Sequence, residues 1–295
     1  MAEAGKPWGI EEKEAWWQRQ TIKRSYEHDV LDRLKALPSD KFRLEQYGAL
    51  STDPARYPLF RVFTEPQNKD NPTVVITGGV HGYEPSGVIA ALRFLEEMAP
   101  QFKDRVNFVV YPCVSPIGYE VDHRWNRFAE DPNRHFIAGG TAEESVKVME
   151  SIKSLQQHFR AAADLHETNN RDLELTAERR ARDGQPVEPG DDYIPEGYYL
   201  YITASGADEK LGPEIIEAVR KVTPITKDTD IFGDPCDNGI ITVNSIPSAC
   251  QSFMSQYADI AMTTEIYPDK CSQREAEDAQ LASIRQTIDF VLRPQ

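Results

Sequence analysis

The chain has little that would bind nucleic acid, cross a membrane or lean on disulfides. Lysine and arginine together number 33 against 48 aspartates and glutamates, a formal net charge of -15. Phosphate recognition needs clustered basic residues, so nucleic acid is excluded as the expected partner. The acidity reads as solubility and says little about substrate. No apolar run approaches the roughly 20 residues that a membrane helix needs. The opening Met-Ala-Glu-Ala-Gly-Lys-Pro-Trp lacks the basic-then-apolar order of a secretion signal. The four cysteines, Cys113, Cys236, Cys250 and Cys271, lie far apart with no CxxC pair. They read as free thiols of a reducing compartment, with a disulfide among them left open. A cytoplasmic protein with no membrane partner is expected.

What is present is an alternation of buried strands and amphipathic helices over 295 residues, long enough for a large core within one α/β domain spanning 1–295. Residues 11–37 are helix-rich and charged, so 1–40 reads as a helical N-terminal extension. Arg61-Val-Phe-Thr64 and Thr73–Val80 read as strands, the second buried on both faces. Pro85 and Ser86 open a helix to about Phe102, with Val88, Ala91, Leu92 and Leu95 as its apolar stripe. Val106–Val114 is the next strand, 115–140 a loop of turn and charged residues, 142–159 a helix and Ala161–His166 a short buried strand. Residues 168–196 are charged and weakly periodic, which reads as a lid or insertion. Tyr198–Thr203, Pro213–Val222 and Ala258–Ile266 read as strand, helix and strand, before a closing helix over about 273–292. This order predicts a three-layer fold: a mainly parallel mixed sheet with helices on both faces. In such sheets ligands sit at the carboxyl ends of the strands.

The chemistry-bearing residues fall at those ends. His81-Gly-Tyr-Glu84 follows the strand ending at Val80, and a histidine and a carboxylate at that spacing can hold two corners of a zinc site. Asp164-Leu-His166-Glu167 ends a later strand, with Asp164 and His166 on one face. Thr263-Thr-Glu265 ends another. Alone, each admits a plainer role: His166 as a hydrogen-bonded core histidine, Glu265 as half of an ion pair. A strand ending in several ionisable groups is nonetheless costly to bury without a cation or a network. The 115–136 loop brings Arg124, Arg127, Asn133 and Arg134. As a solvated loop they need no function; beside a metal, arginine forks suit a substrate with a free carboxylate.

In this order the motifs resemble the zinc carboxypeptidase (carboxypeptidase A-like) superfamily, and its small bacterial-type members related to the succinylglutamate desuccinylase/aspartoacylase branch. The matching residues are His81-x-x-Glu84, Pro116-Ile-Gly118-Tyr119, Arg124-Trp-Asn126, Asp131-Pro-Asn133-Arg134, Asp164-Leu-His166 and Thr264-Glu265, most of the chain between them. The resemblance implies one zinc ion held by His81, Glu84 and His166, with Glu265 as general base and acid. It implies that Arg124 polarises the scissile carbonyl, that Asn133 and Arg134 grip the substrate's carboxylate, and that Asp131 orients His81. The family's Asn-Pro-Asp-Gly turn is Ser115-Pro-Ile-Gly118 here, and Pro132 stands where an aliphatic residue is commoner. Its mobile tyrosine has no clear match, with Tyr257 and Tyr199 as candidates. A second metal near Asp164, Glu167 and His123 is left open.

The expected activity is that of a zinc-dependent metallocarboxypeptidase, a hydrolase of the amide bond next to a free C-terminal carboxylate. Two alternatives stand beside it. One is an N-acyl amino acid deacylase, which shares the zinc motif and the short route from Glu84 to His166 but usually adds a β-rich domain after the catalytic glutamate. The other is a catalytically silent protein that binds peptide tails.

Overall fold

The computed structural model describes residues 5–203, 208–243 and 247–293. After the N-terminal helices α1 (Ile10–Trp17) and α2 (Asp32–Ala36), eight strands form one sheet. They are β1 (Phe42–Ala49), β2 (Pro58–Thr64), β3 (Thr73–Gly78), β4 (Asn107–Tyr111), β5 (Ala161–Glu167), β6 (Tyr199–Thr203), β9 (Ile240–Val243) and β10 (Ala261–Ile266). A separate two-stranded ribbon, β7 (Asp230–Ile231) and β8 (Asp234–Pro235), lies between β6 and β9 in the chain. The sheet order is β1-β2-β4-β3-β5-β10-β6-β9. Its centre, β4-β3-β5-β10, is parallel, and so is the β6–β9 pair; β1–β2, β2–β4 and β10–β6 are antiparallel. The predicted mixed, mostly parallel sheet is the one observed.

Apolar residues on both faces of the central strands explain why helices cover both sides. Val74, Ile76, Phe108, Val110, Ala161, Ala163 and Leu165 belong to one core cluster, against α3 (Pro85–Arg93), α7 (Asp208–Val219) and α9 (Gln273–Val291). The intervening Val75, Val109, Tyr111 and Ala162 belong to the other, against α5 (Glu143–Ser154) and α8 (Cys250–Met254). The period of two thus divides each strand between two cores. Thr77, Asp164 and His166 continue the face of Val75 and Ala162, so this pleat carries polar groups out of the second core and into the site.

The structure departs from the sequence reading in several places, among them the unread stretch 223–257, which holds β7, β8, β9 and α8. The expected loop 115–140 holds helix α4 (Pro116–Val121), with Pro116 in its first turn, and a 3-10 turn at Pro132–Arg134. Most of it is buried, including Trp125 and Asn126, because Asn126 is satisfied by Glu130 and Glu144. The 168–196 stretch, expected as a lid or insertion without a clear element, holds helix α6 (Arg171–Arg182). Its apolar signal is weak because only Leu175 is buried, while several of its charges are paired, as in Arg180–Asp191 and His123–Glu178. Strand β1 escaped the reading altogether because its burial is only partial.

No helix among the described residues is long and apolar enough to cross a membrane.

Candidate metal centre

Each proposed ligand leaves the sheet at a strand's carboxyl end. β3 gives way to the turn Gly79-Val80-His81-Gly82, in which Gly79 has φ +64, a conformation glycine adopts without strain. A Cβ on Gly82 would lie 2.0 Å from the main-chain nitrogen of Tyr119, so only glycine lets the turn press against α4. The loop after β4 is tied to the same turn by Val114 N–H to Gly78 O (3.0 Å) and Ser115 N–H to Gly79 O (2.8 Å). Glu84 then stands at the N-cap position of α3 without a capping hydrogen bond, and Pro85 occupies the first helical position. On β5, His166 pairs in register with Glu265 on β10. Two side chains at paired positions of neighbouring strands share a face, which sets the buried histidine beside the acid. Gln280 on α9 pins this junction, donating from Nε2 to His166 O at 2.9 Å.

His81, Glu84 and His166 come together in the interior, at 2%, 1% and 1% exposure. Their ligand atoms lie within 4.8 Å of one another. The Nδ1 atoms of the two imidazoles are 3.2 Å apart, and each lies 2.8 Å from one oxygen of Glu84. Behind them, His81 Nε2 meets Asp131 Oδ1 at 3.0 Å and His166 Nε2 meets Asp164 Oδ2 at 2.8 Å. Both nitrogens of each ring thus face carboxylates; with an ion at Nδ1, each Nε2 keeps its proton for the carboxylate behind it and Nδ1 turns its lone pair to the ion. Two imidazole nitrogens and a carboxylate converging in a buried space form a donor set that a cation can complete. Nitrogens 2.0–2.1 Å from a tetrahedral zinc stand about 3.3 Å apart, close to the spacing found. The group can therefore hold a metal ion.

The electrostatics agree. Burial alone would raise the Glu84 carboxyl, but His81 and His166 outweigh it and hold Glu84 well below the usual carboxylate range. Burial works against a charged His166, yet Asp164 and Glu84 overcome it and favour positive charge there. Asp131 is likewise held low by Arg124 and His81 against its burial. Glu265 goes the other way: burial, reinforced by nearby Glu84 and opposed by His166, pushes it up to about 8. Two carboxyls near one centre are thus driven apart, one firmly ionised and one ready to exchange a proton.

Asp131 does more than face His81. Its Oδ1 accepts from Asn133 N–H at 2.9 Å and its Oδ2 from Arg124 Nε at 2.8 Å. The equivalent partner of His166, Asp164, also accepts from Thr77 Oγ1 at 2.6 Å. This role was missed in the sequence, where Asp164 stood only as a candidate for a second metal; the Asp-x-His spacing on one strand face was the available signal. The other two candidates are also engaged elsewhere. Glu167 accepts from the Ser86 main chain, and His123 faces Glu178 at 2.9 Å. Among the described residues, Asp164, Glu167 and His123 form no second metal group. Replacing Asp164 with asparagine is expected to weaken metal affinity about 10–100-fold, the usual effect of losing a carboxylate behind a ligating histidine. Competitive titration against a fluorescent zinc chelator measures it.

A cavity of about 870 Å³ opens over the centre. His81, Glu84, Glu265, Arg124, Asn133 and Arg134 all line it. Asn133 Oδ1 accepts from Cys250 N–H at 2.7 Å, which leaves its NH₂ group as the donor to the cavity. Arg134 donates to its neighbour's carbonyl, Asn133 O, at 2.8 Å, and pairs with no carboxylate among the described residues. Arg127 is not in this wall; it pairs with Glu14. Of the tyrosine candidates, Tyr257 packs on Phe253 away from the cavity, whereas Tyr199 lines it. Tyr199 and Thr168 were not foreseen as a pair: Tyr199 lies 2.7 Å from Thr168 Oγ1, which donates to Glu265 Oε2 at 3.0 Å.

Residues 70–186 match the family model of the succinylglutamate desuccinylase/aspartoacylase catalytic domain. This stretch includes His81, Glu84 and His166 and ends before Glu265. No curated protein matches the chain. Among solved structures, a Shewanella amazonensis SB2B protein provisionally named a metallopeptidase has a TM-score of 0.72 at 20% identity, over 92% of this chain and 99% of that one. A metallo-carboxypeptidase from Burkholderia cenocepacia follows the fold with a TM-score of 0.60 at 15% identity, covering 90% of this chain and 68% of that one. Carboxypeptidase A from Helicoverpa armigera gives 0.59 at 11% identity, covering 96% and 78%. The chain has the zinc carboxypeptidase-like fold, and the resemblance to the superfamily and its desuccinylase/aspartoacylase branch holds.

Proposed function

We propose that the protein is a zinc-dependent metallocarboxypeptidase that hydrolyses the amide bond next to a free C-terminal carboxylate. The observation that carries this reading is the convergence of the two Nδ1 atoms and the Glu84 carboxylate, with Glu265 in register beside His166. Zinc at His81, Glu84 and His166 would supply Lewis acidity to a scissile carbonyl and to water. Asp131 and Asp164 fix the imidazole tautomers. Glu265 takes a proton from the attacking water and delivers it to the leaving amine, a task suited to a carboxyl that burial pushes above its ordinary range. Arg124, steadied through Nε by Asp131 and at Nη1 near the Tyr83 hydroxyl, turns its Nη2 group to the carbonyl oxygen as charge develops there. Arg134 and the amide of Asn133 hold the terminal carboxylate, the fork giving it a fixed orientation.

A second reading, an N-acyl amino acid deacylase, is favoured by the family model over 70–186. Both need the same carboxylate grip and differ in what lies across the scissile bond. The deciding assay offers N-blocked dipeptides with a free terminal carboxylate, the same dipeptides as amides, and short-chain N-acyl amino acids. Cleavage of the free acids alone among the dipeptides is expected. Turnover restricted to N-acyl amino acids would replace the peptidase with the deacylase. Equal cleavage of acids and amides would remove the carboxylate grip from Arg134.

A further inference from the structure

Hairpin β7–β8 carries a residue that its own turn does not favour. Asp230 pairs with Pro235 and Ile231 with Asp234, so Phe232 and Gly233 alone make the turn. Both have positive φ, +55 and +91, as the two central positions of a type I′ turn require. Asparagine, aspartate or glycine suits the first of these positions, and a bulky side chain there is strained. The ring gains little burial in return. Among the described residues, Phe232 is the one exposed large apolar side chain, at 62%, that also lines the cavity. A single exposed apolar residue needs no explanation by itself. Here a second ring is set against it: Tyr193, also in the cavity wall, meets Phe232 edge to face with centroids 5.5 Å apart. Tyr193 is fixed in turn, its hydroxyl donating to Asp228 Oδ2 at 2.7 Å. The hairpin's root is equally firm, because Ile231 is buried with Tyr199 and Tyr201 of β6. A strained, solvated aromatic on a rigid support at a cavity's edge is the arrangement of a ligand clamp.

We propose that Phe232 and Tyr193 form an aromatic rim that packs on an apolar group of the substrate, and so selects substrates that are bulky and uncharged at that point. The inference rests on the amide hydrolase reading and adds a specificity element to it. The inner wall presents charged groups such as Glu84, Arg124 and Arg134, which on that reading serve the polar atoms around the scissile bond. The rim offers apolar surface instead, and covering it with carbon takes both surfaces out of water. The apolar group has two sources: the acyl side of the scissile bond or the side chain of the departing residue. Both present the same chemistry to the rings. Two or three carbons placed against a half-open rim correspond to about 5–10-fold in affinity or kcat/KM.

The test uses Phe232→Asn, which removes the ring and supplies a side chain that the turn prefers. N-acetyl-leucyl-glycine against N-acetyl-alanyl-glycine varies the acyl side. N-acetyl-glycyl-leucine against N-acetyl-glycyl-alanine varies the departing residue. The wild-type protein is expected to favour leucine in one pair by about 5–10-fold in kcat/KM. Phe232→Asn should bring that ratio close to one, with Phe232→Leu retaining part of it. The responding pair identifies the source. The Tm of Phe232→Asn should equal or exceed that of the wild type, because the turn is relieved. A preference that survives Phe232→Asn, or a wild type with no preference in either pair, overturns the proposal while leaving the hydrolase intact; a fallen Tm beside it would make the ring a structural prop of the hairpin. Should none of the four be hydrolysed, the peptidase reading fails and binding carries the test. Calorimetry on the zinc-loaded protein then compares N-acetylleucine and N-hexanoylglycine, each with N-acetylglycine. Tighter binding of one larger ligand that Phe232→Asn abolishes supports the rim, and equal binding or a surviving preference overturns it.

Discussion

Replacing Glu265 with glutamine leaves zinc bound and removes nearly all turnover. Glutamine keeps the size of the side chain and its hydrogen bond from Thr168 but cannot accept a proton from water. Glu265 is not one of the three converging groups, so metal content should match the wild type. The loss expected from a missing proton shuttle is ~10²–10⁴-fold in kcat, with KM little changed. Elemental analysis alongside steady-state kinetics checks both halves. A variant with normal zinc and normal turnover would remove Glu265 from the chemistry. A variant that lost its zinc would make Glu265 a structural support of the metal.

The second large effect comes from the ligands. Alanine at His81 or His166 leaves two donors where a catalytic zinc needs three, so stoichiometric metal and turnover should both disappear. Because His166 also anchors Asp164, folding needs its own control. Ligand binding stabilises the folded state in proportion to occupancy, so the wild-type Tm should rise on adding zinc to the metal-free protein. The alanine variants should show a Tm that zinc does not move, with an unchanged far-ultraviolet spectrum. A zinc-dependent Tm in the His166→Ala protein would mean that the ion binds elsewhere.

How much of this was legible in the sequence depends on where burial left a periodic trace. Thr73–Gly78 is buried at every residue and announced itself as a central strand, which in turn located His81 at its end. Glu265 was conspicuous because an acid stood inside an apolar strand. Helix α6 was not, since its inner face looks into a polar cavity and its outer face into solvent, so neither leaves an apolar stripe. Only Leu175 is buried in it. Helix α4 was hidden by its shortness and by turn-forming residues that sit at its start. Its burial comes from contacts far away in the chain, such as Glu120 accepting from Tyr57 O–H at 2.8 Å and from Arg56.

The same limit applied within the site. Residues that touch the expected ligands through local spacing could be read, as with His81 and Glu84. Partners brought in by strand register could not, as with Thr168 and Tyr199 beside Glu265. Asp164 lay between these cases. Its place on the His166 face was visible, but only the geometry at Nε2 distinguishes an orienting carboxylate from a ligand.

The claim beneath all of this is that two imidazoles, through Nδ1, and one carboxylate share a single ion. X-ray absorption at the zinc edge, on purified protein loaded with one equivalent of zinc, tests it most directly. The expected spectrum has only nitrogen and oxygen neighbours, at about 2.0–2.2 Å, with imidazole scattering from two histidines. A sulfur shell at about 2.3 Å, or an ion surrounded by water oxygens alone, would contradict the shared site.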